Sequence, residues 1–416
     1  MSMLKILHFA DAHIDMANQG RHDPATGLPV RILDFLKALD TIVDTAIAER
    51  VDMVLFAGDA YKDRSPAPTF QREWGRRIYR LSQAGIPVLL LVGNHDLSPA
   101  AGRAHALQEY ETLQVPRVLV AGKPCFLGPA DLWNLPLQVI ALPWVTRSGI
   151  LASLGLSASD SVNVSGELEA KLLDLVNLWL ENSDSSLPII LTAHASIQGA
   201  EYGLERNYML GGDFELSGKL VRNPKLDYVA LGHIHKRQDL GENETHPIVY
   251  PGSIERVDWG ELKDDKYFVI AKIEKGLRTQ VEWRKLEGRR FIERFVKIKS
   301  PDNVMEQILS KLPHPNRMAN AMLRLTIYCP RQWDSLIDEQ AIRAYTEPAF
   351  DFHLVRHLEM ESRLRLPGNR LISSLTPHDL LGLYWEIMKT DSSETEELQK
   401  LADEIINRGD FSKKTG

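Results

Sequence analysis

At 416 residues the chain exceeds what one hydrophobic core organises, so two domains with an appendage are expected. Its 44% hydrophobic and 25% charged content is ordinary for a globular chain. A formal net charge of −7 excludes a wholly basic nucleic-acid binder, leaving any phosphate contact to local patches or bound metal.

The first two thirds repeats one pattern, a short apolar run, a polar cluster, then an amphipathic stretch. The runs Leu4–Ala10, Met53–Ala57, Pro87–Val92, Val139–Leu142, Ile189–Thr192, Tyr228–Leu231 and Ile248–Tyr250 are short, and many are rich in β-branched residues, so they read as buried strands. Met1 to Ala10 therefore reads as a strand rather than a signal peptide, and no run is long enough for a membrane span. Ile32–Arg50, Thr69–Ala84 and Val164–Leu180 carry apolar residues at helical spacing. Strands alternating with helices suggest a layered α/β domain. Two distant cysteines, Cys125 and Cys329, show no metal-type spacing and read as free thiols in a reducing cytoplasm.

Near Lys285–Arg290 the chain turns highly charged, which predicts a boundary. Beyond it the order strand (Phe291–Ile298), helix (Asn303–Lys311), strand (Met322–Tyr328), helix (Ser335–Ala344), strand (Asp351–Leu358) suffices for a small second α/β domain. A Pro- and Gly-containing connector, Leu366–Arg370, leads to Thr376–Asn407. There Leu380, Leu381, Tyr384, Trp385 and Met388, then Leu398, Leu401 and Ile405, make an apolar stripe at near-helical spacing. The expected division is 1–285, 286–366 and 367–416.

Five polar clusters follow five of the apolar runs: Asp11-Ala12-His13, Gly58-Asp59, Gly93-Asn94-His95-Asp96, His194 and Gly232-His233-Ile234-His235. Taken singly, each has a bland reading. Gly-Asp after a strand is most often a turn, and a lone histidine is most often hydrogen-bonded in a core. Gly-His-x-His is more telling, because alternation puts both imidazoles on one face of an extended segment. A buried strand feeding straight into Gly-Asn-His-Asp serves no packing purpose. Pooled, the clusters supply oxygen and imidazole donors suited to Mn²⁺, Fe or Zn²⁺, and the lack of cysteine argues against a thiolate zinc site.

The series D-x-H, G-D, G-N-H-D, H, G-H-x-H resembles that of the calcineurin-like metallophosphoesterases. Within them the chain is similar to the SbcD-like DNA repair exonucleases, on the stretches LHFADAHID, GDAYKDRSPAPT and YPGSIERVDWGE. The resemblance covers residues 4–285 firmly and the remainder loosely. It implies a layered α/β metallophosphoesterase β-sandwich flanked by helices, with a smaller α/β capping domain and a C-terminal helical tail. It assigns one divalent metal, Mn²⁺ by family expectation, to Asp11, His13, Asp59 and His235. A second falls to Asp59, Asn94, His194 and His233, with Asp59 bridging. His95 is then the catalytic histidine, with Asp63 or Asp96 placed to orient it. Where the family often has His or Asp, this chain has Lys62; a protonated Lys is no metal ligand but can touch a phosphate as a point charge.

The implied activity is 3′→5′ double-strand exonuclease and single-strand endonuclease action on DNA, together with an SMC-like ATPase of the SbcC type. A nucleotide or cyclic-nucleotide phosphodiesterase on the same catalytic domain is the competing reading, against which stand the second domain and the tail. A scaffold with a degenerate site has little reason to keep a complete ligand set. Candidate DNA contacts are Lys62, Arg76, Arg77 and Arg80, Lys236 and Arg237, and Arg289 and Arg290. The segment Thr376–Asn407 either docks on the chain's own cap or binds the coiled-coil base of the ATPase. A homodimer is also suggested by the resemblance, with an apolar helical face near Ile78 and Leu81 available for it.

Overall fold

The computed structural model of the protein describes residues 3–16, 22–98, 103–144, 164–203, 215–359, 376–388 and 391–409. It divides into two compact units. One is Met1–Glu293 with Pro313–Arg324 and Tyr345–His353; the other is Arg294–Leu312 with Leu325–Ala344 and Leu354–Gly416.

Strands β1 (Leu4–Phe9), β2 (Met53–Phe56), β3 (Val88–Leu91) and β4 (Val118–Ala121) run parallel in the first sheet. The second sheet is built from β5 (Cys125–Leu127), β6 (Gln138–Leu142) and β7 (Ile189–His194). A minor pair, β8 (Ser196–Ile197) with β9 (Glu215–Leu216), follows before β10 (Tyr228–Gly232), β11 (Gln238–Asp239) and β12 (Ile248–Tyr250) complete it. A hairpin of β13 (Lys266–Ile273) and β14 (Gln280–Leu286) returns to the first sheet. The orders are β14-β13-β1-β2-β3-β4 and β11-β12-β10-β7-β6-β5.

Alternation along these strands creates the layers. In β2, Met53 and Leu55 face the cluster between the sheets, whereas Val54 and Phe56 face the cluster under helices α1 (Val30–Glu49) and α2 (Pro68–Gln83). In β10, Tyr228 and Ala230 face inward, and Val229 and Leu231 face a third cluster that includes Leu172, Val176 and Leu180 of helix Val164–Glu181. The result is a helix–sheet–sheet–helix sandwich whose central strands are buried on both faces, which is why they read as continuous apolar runs. All seven strands expected from those runs are present, and the β13–β14 hairpin adds to them.

Strands β15 (Phe291–Lys297), β16 (Met322–Pro330) and β17 (Asp351–Glu359) form a three-stranded sheet in that order. Helices Val304–Leu309 and Glu339–Tyr345 lie between them in sequence, giving the expected alternation. Helices Pro377–Met388 and Ser392–Gly409 are linked by a 2.6 Å His378–Asp403 pair. The connector expected at Leu366–Arg370 lies outside the described residues. Among those described, no helix is long and apolar enough to cross a membrane.

One expectation is corrected here. Ile78 and Leu81 do not form a free apolar face, because both are fully buried under the first sheet with Trp74 and Phe56. The inward face of α2 is core, and its outward face is charged. Ile78→Ala is therefore expected to cost about 2–5 kcal/mol in urea denaturation while leaving the sedimentation mass unchanged.

Candidate dimetal active site

Parallel strands β1, β2 and β3 end side by side, as do β7 and β10, and the register sets Gly232 opposite His194. The polar clusters leave from those ends. Asp11, His13 and His235 place one donor atom each within 4.8 Å of one another, and Asp59, His194 and His233 do the same. The Asn94 amide oxygen closes the second group, 3.0 Å from His194 Nε2 and 3.1 Å from His233 Nδ1. Asp59 Oδ2 lies 3.3 Å from His194 Nε2 and 3.9 Å from His13 Nε2, so it faces both groups.

The loops reach this arrangement by giving up ordinary backbone geometry. Asp11, His13, Asp59 and His233 all adopt positive φ, between 39° and 95°, an unfavourable conformation for such residues. The site also demands glycine. A Cβ on Gly93 would stand 2.1 Å from Asp59 Oδ1, and one on Gly58, itself at φ 99°, would stand 2.3 Å from His194 Nδ1.

His13, His194 and His235 are each aimed by what holds the other nitrogen. His13 Nδ1 meets the Tyr61 carbonyl at 3.1 Å and His194 Nδ1 meets the Ala57 carbonyl at 2.7 Å. A carbonyl only accepts, so Nδ1 carries the proton and Nε2 offers its lone pair inward. His235 Nδ1 lies 2.7 Å from the Glu261 carboxylate. Glu261 in turn pairs with fully buried Lys266 at 2.6 Å, and Lys266 donates to Ser253 Oγ at 2.7 Å. His13 Nε2 and His235 Nε2 approach to 3.1 Å, a separation that suits two ligands of one ion.

The electrostatics fit cations. Burial drives the imidazoles of His13 well below their ordinary range and of His233 down to about 3, so both are neutral donors. Burial raises the Asp11 carboxyl to about 6, against the pull of His194 and His235. For Asp59, burial also pushes upward, but His194, His95 and His13 hold the group well below the carboxylate range. Asp59 raises the His194 imidazole to about 9 against its burial, and a buried carboxylate among imidazole and amide oxygen donors is a donor set for two divalent ions.

His95 sits at the edge of this group, its ring 5.3 Å from that of His13. Its N–H donates to Asp59 Oδ1 at 2.8 Å, and its Nδ1 meets the Lys62 carbonyl at 2.8 Å. The Lys62 N–H donates at 2.5 Å, and the Asp63 N–H at 2.9 Å, to half-buried Asp15. The expected orienting carboxylates are engaged elsewhere. Asp96 accepts from the N–H groups of Asp59, Ala60 and Gly93, clamping two loops, and Asp63 accepts from Ser65 N–H. A backbone carbonyl held by Asp15 orients His95 instead.

The candidate DNA contacts divide. Arg76 and Arg77 bind Glu73, and Arg77 and Arg80 reach across to Asp40 on α1. Lys236 is paired with Glu201 at 2.5 Å, and Arg289 with Asp34 at 2.6 Å. Arg290 donates to the Ala319 carbonyl at 3.0 Å. Of these, Arg77 and Arg289 are largely buried in their pairs, whereas Arg76, Arg80 and Lys236 lie at the surface. Lys62 remains exposed at the mouth, where its charge adds to burial in depressing His95. Arg237 is exposed and stacks on aromatic rings.

Sequence reasoning did not single out Glu261, Lys266 or Asp15. The first lies in the stretch VDWGE, and Lys266 opens a largely apolar strand, which are the signals that were available. Glu261→Gln keeps the shape but removes the charge that aims His235; metal affinity measured by calorimetry is expected to fall about 10–100-fold.

A family model described as calcineurin-like phosphoesterase matches residues 4–237. The chain is 25% identical over 286 residues to an SbcCD nuclease subunit from Escherichia coli K12, covering 67% of each. It is 30% identical over 254 residues to the corresponding SbcCD nuclease subunit from Rhodobacter capsulatus, covering 57% of this chain and 59% of that relative. To the DNA double-strand break repair protein Mre11 of Methanosarcina acetivorans it is 26% identical over 314 residues, covering 74% of this chain and 43% of the relative. With both donor groups in place at its strand ends, the chain belongs to the calcineurin-like phosphoesterase family and is a metal-dependent phosphoesterase.

Proposed function

We propose that this protein is a dimetal DNA nuclease that hydrolyses phosphodiester bonds in DNA repair. One ion is assigned to Asp11, His13, Asp59 and His235, the other to Asp59, Asn94, His194 and His233, and Mn²⁺ is the proposed metal. The observation that carries the reading is Asp59, buried and facing both donor groups, with the main-chain N–H of His95 donating to the same carboxylate. Two such ions supply Lewis acidity toward phosphoryl oxygens and a nucleophile at neutral pH.

The chain's own residues then do three things. Asp59 balances the charge between the ions. Because the Lys62 carbonyl keeps a proton on His95 Nδ1, the proton that moves is the one on Nε2. Burial and Lys62 disfavour that proton and the negative phosphoryl group favours it; the ring so protonated stabilises charge on the phosphoryl group and hands the Nε2 proton to the departing oxygen. Lys62, exposed beside His95, attracts the adjoining phosphate as a point charge. The relatives' names, SbcCD nuclease and double-strand break repair protein, support DNA as the polymer. The proposed division of labour is a nuclease domain at 1–285, a capping segment at 286–366 that restricts DNA shape, and a tail at 367–416.

The tail reading has its own support. Leu380, Tyr384, Met388, Leu401 and Ile405 are exposed on the two helices, Ile405 by 66%, whereas Trp385 is buried. An apolar helical surface of this kind suits a helical partner, and we assign it to an SMC-like ATPase. Removing residues 371–416 is expected to abolish co-elution with that ATPase and to leave metal-dependent hydrolysis by the truncated chain intact.

The activity test is Mn²⁺-dependent digestion of end-labelled duplex and single-stranded DNA alongside bis-p-nitrophenyl phosphate. His95→Ala is expected to lower the rate on DNA about 10²–10⁴-fold while calorimetry still counts two ions. Hydrolysis of the small diester with no attack on DNA, even with the ATPase present, points to the nucleotide phosphodiesterase instead.

A further inference from the structure

We propose that Arg237, stacked on Tyr267 and Trp283, forms a platform for an unpaired base of the DNA strand under attack; this rests on the nuclease reading above. The Arg237 guanidinium carbon lies 4.3 Å from the centre of the Tyr267 ring and 5.1 Å from that of Trp283. The two rings meet edge to face at 6.1 Å. They share one face of the β13–β14 hairpin, because Trp283 pairs with Val269 and Tyr267 precedes Val269 by two residues. The exposed guanidinium thereby rests against two aromatic rings.

Three observations point to a base as the occupant. First, no carboxylate lies within ion-pair distance of Arg237 among the described residues, whereas Arg76, Arg77, Arg80 and Arg289 are all neutralised. Asp265 acts on Arg237 only through space, and the residue is exposed. Second, Arg237 follows His235 by two residues, so their Cα atoms lie at most about 7 Å apart. The segment packs tightly on Gly252, where a Cβ would meet the His235 carbonyl at 2.5 Å and the Arg237 nitrogen at 3.0 Å. A strand whose phosphate lies at the metal site therefore passes close to a guanidinium fixed to the same short loop.

Third, the neighbouring cleft, about 430 Å³ and lined by Arg237, Trp283, Glu201 and Glu242, has the size of a small-ligand site. Glu201 there is taken up by Lys236, leaving Glu242 to accept a hydrogen bond from an exocyclic amino group such as that of cytosine. Guanidinium planes and aromatic rings stack on unpaired bases of any sequence, and a paired base is not free to do so. The platform therefore selects a single strand leaving the metal site.

The test is fluorescence anisotropy of the full-length protein with phosphorothioate-linked oligodeoxycytidine, which resists cleavage. Arg237→Lys keeps the charge and loses the planar group; it is expected to weaken binding about tenfold. Trp283→Leu is expected to act in the same direction, and neither change weakens binding of an abasic strand of equal length. Wild-type affinity in Arg237→Lys overturns the platform, as does an equal loss on the abasic strand, which marks a phosphate contact. If the unsubstituted protein hydrolyses the small diester yet binds no single strand, the nuclease reading itself falls and the platform with it.

Discussion

The Asp59 carboxylate sets the terms for everything around it. It is buried at the junction of strand ends, with Oδ1 taking the His95 N–H and Oδ2 facing His194 and His13. Its own N–H is clamped by Asp96. A charge removed from water to this degree is costly unless opposite charge neutralises it; His194 is raised to about 9 by Asp59, whereas burial pushes the His13 and His233 imidazoles toward neutrality. Divalent ions resolve that conflict. The strained loop backbones at Asp11, His13, Asp59 and His233, and the glycines that let them approach, serve to bring donors from five separate segments to one point.

Around this centre runs a second set of contacts that fixes direction rather than charge. Backbone carbonyls of Ala57, Tyr61 and Lys62 hold the Nδ1 atoms of His194, His13 and His95. Glu261, itself neutralised by buried Lys266, does the same for His235. Most of these partners come from the two residues on either side of Asp59 or just beyond it. The stretch Ala57–Lys62 therefore supplies a proposed ligand, two ring holders and the carbonyl behind His95. A small shift of that loop disturbs both donor groups and His95 together.

Much of this was legible in the residues themselves. The central strands are buried on both faces, so Met53–Phe56 and Tyr228–Gly232 stand out as continuous apolar runs, and the clusters beyond them mark the site. The hairpin strand β14 was less visible because it lies at a sheet edge, where polar residues alternate with half-buried ones. The misreadings concern side-chain partners. Arg76 and Arg77 look like a basic patch, but Asp40 lies 37 positions before Arg77 and meets it only in the folded state. Ile78 and Leu81 look like an exposed stripe until the sheet covers them. Asp63 and Asp96 neighbour His95 in sequence or in the adjoining loop, yet its ring is held by a main-chain oxygen, which no residue type announces.

The most direct measurement of the central claim is anomalous scattering from crystals of the protein grown with Mn²⁺. Two peaks about 3.5–4 Å apart, with Asp59 between them, His13 and His235 on one and His194 and His233 on the other, is the predicted result. A single peak, or two ions that leave Asp59 outside both coordination shells, contradicts it.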